Sequence, residues 1–360
     1  MEHFFCKTKI ISGPGSLKTL ADLHIKRLLM VTDPFFLENG VANHIAHISK
    51  AEHVEVFHKV VPDPTATLAA QGTQVATTFQ PDTILALGGG SAMDCAKAMA
   101  YFSGLDLQLI AVPTTSGSGS EVTDFAILTH DGVKHPLVDD RLRPDIAILD
   151  SDLLATLPQK LIADTGFDLI SHALEAWVAT GAGTVSNALA LSALQTAFSL
   201  LPKSFAGDTS VRGAVHTAAT MAGMAFSSAG LGLCHALAHT LGGEFHIPHG
   251  RLNAILLPHV VAFNADKVQS RYAALARQLG LSTGPDVMAL RALKNALIRL
   301  RRELTLPEDL TQAGIDPRRV RDRMESLAKA ALADPCCASN PAQPTAADIR
   351  HILQAVMGHG

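Results

Sequence analysis

TILALGGGSAMDCAK, residues 83–97, joins an apolar run of strand length to a helix-like segment through three consecutive glycines. Glycines at the end of a strand let a phosphate approach the backbone, because no Cβ atoms stand in the way. The N-terminus of the following helix adds free N–H groups and the positive end of its dipole. A tight turn with Ser91 as the helix N-cap is the alternative. Three glycines favour a phosphate site, although their spacing is not the G-x-G-x-x-G fingerprint.

Four further apolar runs in the first half of the chain also end in turn residues. They are KRLLMVTD (26–33), HVEVFHKV (53–60), LQLIAVPTT (107–115) and PDIAILD (144–150). Helix-length segments such as 65–79 separate the earlier runs, which is the pattern of parallel strands with helical crossovers. The sequence therefore predicts an α/β N-terminal dinucleotide-binding domain with a Rossmann-like parallel sheet, whose ligands lie at the carboxyl ends of the strands.

The character of the sequence changes after Pro158, where long stretches rich in Ala, Leu and Met carry helical periodicity. We expect an NAD-binding domain over 1–155 and an all-α C-terminal domain for metal binding and catalysis over 156–360. Residues 334–344, DPCCASNPAQP, predict a loop before a last helix. The cleft between two such domains is the default place for an active site.

Composition excludes several classes of protein. The net charge of −4 gives no electrostatic reason to expect nucleic acid or an anionic membrane as partner. The five cysteines are odd in number and too few for a disulfide framework. No segment reaches the ~18 uninterrupted apolar residues of a membrane span. These features predict a cytoplasmic protein.

A second donor-rich loop, VPTTSGSGSEVT (112–123), follows another predicted strand. Two such strand ends in one sheet favour a dinucleotide over a merely flexible loop. Asp33 ends the run 26–33, where a carboxylate suits a ribose hydroxyl and repels a 2′-phosphate, which favours NAD over NADP. Asp is also a common turn residue, so this inference has a structural alternative.

In TGFDLISHALEAW (165–177), Asp168 and His172 are four residues apart. On a helix this spacing places two side chains on one face, within reach of one ion. By itself the pair is weak evidence for a metal, because a helical Asp–His pair is more often a surface hydrogen bond.

In GLCHALAHTLGGEFHIPHG (232–250), His235 and His239 repeat the spacing of four among apolar neighbours. His249 follows beyond a stretch that we expect to break the helix and turn the chain back. One aspartate and three histidines of this set suit a first-row divalent ion without a thiolate, and Cys234 would point away around the helix. Spacing alone leaves a group of hydrogen-bonded core histidines equally open.

Four motifs of this chain occur in the order and approximate spacing of the iron-containing (group III) alcohol dehydrogenases, which the chain resembles up to at least residue 265. They are GGGSAMDCAK, PTTSGSGSEVT, TGFDLISHALEAW and GLGLCHALAHTLGGEFHIPHG. Within that family it is most similar to the short propanol dehydrogenases of bacterial propanediol utilisation, which work in metabolic microcompartments. The resemblance implies Fe²⁺ with Zn²⁺ as a competing ion, NAD, and a homo-oligomer of two or more subunits. Other microcompartment enzymes become candidate partners.

The resemblance also implies roles for individual residues. Four match metal ligands of the family: Asp168, His172, His235 and His249. His239 matches an active-site histidine that is not a ligand, and His246 corresponds to a variable loop position that could line the pocket.

The NAD contacts implied by the resemblance are Asp33, Gly89, Gly90, Ser91, Asp94, Thr114, Thr115, Ser118 and Lys134. Two positions depart from the family pattern. Ser118 stands where threonine is frequent, which keeps the hydroxyl. Asp63 stands where asparagine is common, which places a carboxylate near the cofactor.

Charge counting gives the expected chemistry. A divalent ion with one carboxylate and three neutral imidazoles keeps a net charge of one, which stabilises the alkoxide of an alcohol. The alkoxide passes a hydride to the nicotinamide, giving aldehyde and NADH, and the reverse path reduces aldehydes. His239 is the candidate that relays the alcohol proton, because imidazole titrates near neutral pH.

The cations between residues 160 and 263 lie outside the ligand motifs: Lys160, Lys203, Arg212 and Arg251. A charged substrate would normally need an Arg or Lys clamp, so a small uncharged alcohol or aldehyde is predicted, with propionaldehyde and 1-propanol favoured. Two alternatives stay open: a zinc-dependent polyol dehydrogenase of the glycerol type, and a non-catalytic structural partner in an enzyme assembly, although the ligand and cofactor motifs are intact.

Overall fold

A computed structural model describes residues 2–131 and 133–358. The chain divides into two compact units between Leu157 and Pro158. The first unit contains a parallel sheet of six strands and the second is mostly helical, which confirms the predicted fold class.

The extreme N-terminus belongs to the second unit, although the sequence assigned it to the first. The Thr184 N–H donates to Glu2 Oε2 at 2.9 Å, and the Ser228 hydroxyl donates to the His3 carbonyl at 2.9 Å. These hydrogen bonds tie residues before Cys6 to helices more than 180 positions further along the chain, a contact that no local pattern encodes.

The strands described in the first unit are β1 (Lys9–Ser12), β2 (Arg27–Val31), β3 (His53–Phe57), β4 (Thr83–Gly88), β5 (Gln108–Pro113), β6 (Phe125–His130), β7 (Val133–Val138) and β8 (Ile146–Leu149). Its helices are α1 (Pro34–Glu38), α2 (Val41–Ser49), α3 (Ala66–Phe79) and α4 (Gly90–Ser103). The parallel sheet has the order β1-β8-β5-β4-β2-β3, and β6 and β7 form a separate antiparallel hairpin.

Both faces of this sheet are covered, as parallel sheets require. Alternate residues of β2 point to opposite sides. Leu29 and Val31 join a core with residues of α3 and α4, whereas Leu28 and Met30 join a core with residues of α2.

The strand order places a topological switch point between β2 and β4. The chain leaves β2 toward the β3 edge, whereas it leaves β4 toward β5 on the other side. Such a switch opens a crevice at the carboxyl ends of the two strands. Asp33 follows β2 and Gly89 follows β4, so the predicted cofactor residues begin on both sides of this crevice.

The helices described in the second unit are α5 (Gln159–Val178), α6 (Thr184–Phe205), α7 (Arg212–Ala229), α8 (Leu233–Phe245), α9 (His249–Gln278), α10 (Asp286–Glu303), α11 (Pro317–Ala333) and α12 (Ala346–Val356). Helix α5 is central: it packs against α6, α7 and α9, and every residue from Gly166 to Val178 is buried. A Cβ at Gly166 would lie 2.3 Å from Leu201 Cδ1, so glycine is what lets α6 approach so closely.

Helix α6 is the one described helix that is long and apolar enough, on its own, to cross a membrane, with a mean hydropathy of 1.2 over its best window. A second candidate for a membrane-spanning segment arises only if two helical stretches are taken as one span. These are α8 and the stretch before it, and the angle between them is 105°. In the structure α6 lies in the bundle against α5 and α7.

Candidate metal centre and cofactor site

Three ionisable side chains of the central helix, Asp168, His172 and Glu175, follow one another at intervals of four and three residues and so share one face. All three are buried. A buried polar group is costly unless it has a partner, so this face must meet other polar groups. Those groups come from α8 and from the first two turns of α9.

Three imidazole nitrogens converge on one oxygen of Asp168. The distances from Asp168 Oδ1 are 3.8 Å to His172 Nε2, 3.7 Å to His235 Nε2 and 3.5 Å to His249 Nε2. These separations exceed ordinary N–H···O hydrogen bonds. They resemble the separation of about 3.4 Å expected for two ligands that share one tetrahedral ion. One carboxylate and three imidazoles also suit a first-row divalent metal, so the residues fit such an ion.

Glu175 fixes the orientation of His235. Glu175 Oε2 lies 2.6 Å from His235 Nδ1, which turns Nε2 of the same ring toward Asp168. The carboxylate also accepts the N–H groups of Gly232 at 2.9 Å and Cys234 at 2.7 Å, so it caps the N-terminus of α8. A carboxylate behind a ligand histidine sets its tautomer and its basicity toward a metal.

The charges of this cluster perturb its pKa values. Burial opposes a proton on His235, but the nearby carboxylate of Asp168 and the hydrogen bond to Glu175 outweigh it and raise the pKa of His235 to about 9. Burial would raise the pKa of Asp168, yet the neighbouring His172, His249 and His235 hold it well below its usual range. Without an ion, both ring nitrogens of His235 therefore carry protons at neutral pH. A metal at Nε2 would displace one of them.

Helix α9 brings His249 to Asp168 through a very close approach to α5. A Cβ at Gly250 would lie 1.8 Å from the Asp164 carbonyl oxygen, so only glycine fits there. The next residue, Arg251, pairs with the Asp164 carboxylate through two hydrogen bonds of 3.1 and 2.6 Å. The glycine and the ion pair together hold the start of α9 against α5.

Asn253 supports Asp168 from the second turn of α9. This fully buried side chain donates from Nδ2 to Asp168 Oδ1 at 2.9 Å. Cys234 donates its thiol to Asn253 Oδ1 at 3.5 Å, which turns the sulfur away from the imidazoles.

His239 lies beside the cluster with a different partner. Its ring stacks on His249 with centroids 5.1 Å apart, and its Nδ1 lies 2.9 Å from Asp334 Oδ2. This arrangement leaves Nε2 available for another group. Burial would raise the pKa of Asp334, but its hydrogen bond to His239 holds that pKa below the usual value.

His246 is exposed and forms the end of α8, in a left-handed conformation with φ 56°. The expected break of the helix comes later than the glycines suggest. Helix α8 continues through Gly242 to Phe245, because tertiary packing outweighs the low helix propensity of glycine. His249 then opens α9 directly after Pro248.

The glycine turn after β4 packs against the second donor-rich loop. A Cβ at Gly89 would lie 3.2 Å from Thr115 Oγ1, and one at Gly90 would lie 3.2 Å from Ser118 Cβ. The N-cap of α4 is Gly89 without any capping side chain, so the alternative with Ser91 as N-cap is wrong. A helix that starts this way offers its first N–H groups to an anion.

Asp94 and Lys97 tie the loop after β5 to α4. Asp94 accepts the Ser120 hydroxyl at 2.9 Å and the Ile127 N–H at 3.1 Å. Lys97 is buried and donates to the Thr123 carbonyl at 3.0 Å, and burial lowers its pKa to about 8. Thr114 is also buried, with its N–H on the Gly88 carbonyl at 2.9 Å.

The remaining two predicted cofactor residues have partners of different kinds. Asp33 caps α1, accepting the Phe36 N–H at 3.3 Å through one of its two oxygens. Lys134 Nζ lies 2.6 Å from Asp63 Oδ1. Asp63 has a left-handed φ of 55°, which Asp and Asn tolerate better than most residues. Asp63, one of the two positions that depart from the family pattern, is thus the ion-pair partner of Lys134.

Three residues of the centre lie outside the sequence-based prediction: Glu175, Asn253 and Asp334. Glu175 stands inside TGFDLISHALEAW, seven residues after Asp168, and helical periodicity alone could have identified it. Asn253 and Asp334 join the centre by tertiary packing, and Asp334 is 95 residues from His239. No local signal marks either one.

Comparison with known proteins places the chain among alcohol dehydrogenases. Residues 7–151 match the model for iron-containing alcohol dehydrogenases, and residues 162–357 match the C-terminal model of the Fe-containing alcohol dehydrogenase family. The chain is 38% identical to the 1-propanol dehydrogenase PduQ of Citrobacter freundii, covering 99% of this chain and 100% of that protein. It is 35% identical to an NADPH-dependent butanol dehydrogenase of Clostridium saccharobutylicum, covering 99% of this chain and 98% of that protein. The solved structure of the iron-containing alcohol dehydrogenase of Thermococcus thioreducens superposes with a TM-score of 0.92 at 32% identity. The match covers 98% of this chain and 99% of that one.

Proposed function

The chain belongs to the iron-containing alcohol dehydrogenase family, and from that premise we propose that it is an NAD(H)- and iron-dependent enzyme that interconverts short-chain primary alcohols and aldehydes. Propionaldehyde and 1-propanol are the favoured pair, in line with the similarity to a 1-propanol dehydrogenase. The observation that carries the proposal is the convergence of three imidazole Nε2 atoms within 3.8 Å of Asp168 Oδ1.

Asp168, His172, His235 and His249 would hold the divalent ion. When bound, the ion supplies Lewis acidity that favours loss of the alcohol proton and polarises an aldehyde carbonyl. Glu175 keeps His235 in the tautomer whose Nε2 is free to bind. We assign Fe²⁺ as the working ion and Zn²⁺ as its competitor, because an N/O donor set accepts both.

His239 would move the proton that alcohol oxidation releases. Asp334 holds Nδ1 of this ring, so Nε2 is the atom that takes the proton from the substrate hydroxyl. The side chain is 17% exposed, which gives the proton a route to water. In the reverse direction the same atom returns a proton to the reduced aldehyde.

NAD would lie at the switch-point crevice of the parallel sheet. Its pyrophosphate suits the uncapped N-terminus of α4 after the glycine turn, and a ribose hydroxyl suits the second oxygen of Asp33. The proposed contacts are Asp33, Gly89, Gly90, Ser91, Asp94, Thr114, Thr115, Ser118 and Lys134. The Asp33 carboxylate would repel a 2′-phosphate, which supports NAD rather than NADP.

The cations near the ligand motifs favour an uncharged substrate. Arg251 pairs with both carboxylate oxygens of Asp164 through Nε and Nη2, and Arg212 is buried. Lys160 and Lys203 are exposed. A guanidinium whose charge is already balanced by a carboxylate is a weak clamp for a phosphate or a carboxylate of the substrate.

We extend the proposal to assembly and location: a cytoplasmic homo-oligomer, a dimer or larger, housed in a bacterial microcompartment with other enzymes of its pathway. This part is supported by the family resemblance of the sequence.

The proposal is tested by anaerobic NADH oxidation with propionaldehyde, on metal-free protein titrated separately with Fe²⁺ and Zn²⁺. We expect turnover with iron and little with zinc. Equal or faster turnover with zinc would contradict the iron assignment. A strong preference for glycerol over 1-propanol in the oxidising direction would favour the polyol alternative. Tight binding of metal and NAD without turnover of any alcohol would favour the structural role.

A further inference from the structure

A second group of metal-binding side chains lies next to the centre described above. The donor atoms of His239, Asp334 and Cys336 all lie within 4.8 Å of one another. His239 Nδ1 and Asp334 Oδ2 are already 2.9 Å apart, and the other Asp334 oxygen accepts the Cys336 N–H at 2.9 Å. The group joins α8 to the 3₁₀ turn Pro335–Ser339. All three residues are half-buried, so solvent reaches them.

We propose that His239, Asp334 and Cys336 form a second metal site, which takes soft divalent ions such as Zn²⁺, Cd²⁺ or Co²⁺. Its donor set differs from that of the Asp168 cluster by a sulfur, and a thiolate favours softer ions. Zn²⁺ also binds a given site more tightly than Fe²⁺. A water would complete the tetrahedron, as in zinc sites with three protein ligands.

Binding at this site releases one proton and moves another. The ion takes the position of the Nδ1 proton between His239 and Asp334, which passes to Nε2 of the same ring, and it displaces the thiol proton of Cys336 to solvent. Small shifts suffice, because two ligands of a tetrahedral zinc ion lie about 3.3 Å apart when both bonds are about 2.0 Å.

An ion at this second site would inhibit the enzyme. It removes His239 from the hydrogen bond that holds its ring, and that ring is the proposed proton relay. Zinc would thus inhibit protein whose Asp168 cluster is already loaded with iron. This consequence rests on the proposed function, whereas the metal site itself does not.

Cobalt titration of the metal-free full-length protein under anaerobic conditions tests the site without any activity assay. We expect two Co²⁺ ions per chain, the second bringing a near-ultraviolet charge-transfer band from thiolate to cobalt. Cys336→Ser should lose the band and bind the second ion at least about tenfold more weakly. Cys337→Ser is the matched control: its buried thiol donates to the Ala331 carbonyl, and the variant should keep the band.

The His249→Ala variant separates the two sites, because it lacks a ligand of the first and none of the second. It should keep the thiolate band. Binding of a single ion without the band would overturn the proposal, as would a band that survives in Cys336→Ser. Iron-loaded wild-type protein that turns over no alcohol or aldehyde, but still shows the band on cobalt titration, would disprove the proposed function and leave the second site intact.

Zinc inhibition of the iron-loaded enzyme tests the consequence. We expect the inhibition constant for zinc to rise about tenfold or more in Cys336→Ser and to stay unchanged in Cys337→Ser. An inhibition constant that Cys336→Ser does not change would contradict inhibition through this site.

Discussion

Glu175 serves two structural tasks at once, because its carboxylate both caps α8 and holds His235 in one tautomer. A metal-binding histidine depends on such a partner for the direction of its lone pair. The carboxylate is therefore as much part of the candidate centre as the four proposed ligands, although it lies behind His235.

Replacing Glu175 with glutamine should weaken metal binding by about 10–100-fold, because the amide cannot accept from both the α8 backbone and His235 as a carboxylate does. Competition with a chelator measures the affinity. Glu303→Gln, an exposed carboxylate at the end of α10, is the control and should leave it unchanged. Equal metal affinity in Glu175→Gln and wild type would contradict the assigned role.

His235 should make the stability of the metal-free protein depend on pH. Its pKa is about 9 in the folded chain, against about 6.5 for a free imidazole. A raised pKa adds stability that is complete below pH ~6.5 and lost as pH rises through about 9, on the order of 3 kcal/mol. Urea unfolding followed through the fluorescence of Trp177, the single tryptophan, measures this loss. A flat profile over this range would disprove it.

The ion pair with Asp63 should weaken the contact between Lys134 and the cofactor. Asp63→Asn removes one charge of a pair whose acidic partner is 46% exposed, so NADH binding should tighten by a factor of about 2–5 and become more sensitive to salt. NADH fluorescence titration measures the change. Asp131→Asn is the control, because Asp131 also has a positive φ and is highly exposed. Weaker NADH binding in Asp63→Asn would show that the pair positions Lys134 instead.

At the scale of elements, the sequence reveals the strands that lie in marked apolar runs. The strands β2, β3, β4, β5 and β8 lie within the apolar runs that predicted them. Strand β1 has an exposed and half-exposed pattern, and β6 alternates, so neither stands out as a continuous apolar run. The same limit applies at the centre. Spacing along α5 and α8 indicates ligands, whereas the contact between α5 and α9 depends on a glycine whose role is visible only in three dimensions.

Gly250→Ala should separate α9 from α5, because its Cβ would stand 1.8 Å from the Asp164 carbonyl oxygen. Such overpacking costs typically about 1–3 kcal/mol and moves backbone. We expect loss of metal binding with helical content retained, measured by circular dichroism and chelator competition. Gly242→Ala in α8 is the control, since its Cβ would meet atoms no closer than 3.6 Å. Normal metal affinity in Gly250→Ala would contradict this role for the close approach.

At the scale of the whole molecule, the change from alternating strands to continuous helices near Pro158 predicted the fold class, because each pattern has its own period. The N-terminal residues beside Thr184 and Ser228 depend on contacts distant in sequence, so they were not predicted. The hairpin β6–β7 is local but has no continuous apolar run, so the sequence did not reveal it either. The chemistry divides along the chain in the same way: the proposed cofactor residues all precede Leu157, and the proposed metal ligands all follow Pro158.

The central claim is that Asp168 and three histidines hold one catalytic iron. We would count iron per chain and measure propionaldehyde-dependent NADH oxidation, anaerobically, in wild type, His249→Ala and His246→Ala. His246 is the matched control, an exposed histidine three residues away. We predict one iron and full activity in wild type and His246→Ala, with both lost in His249→Ala. Full iron and activity in His249→Ala would contradict the claim.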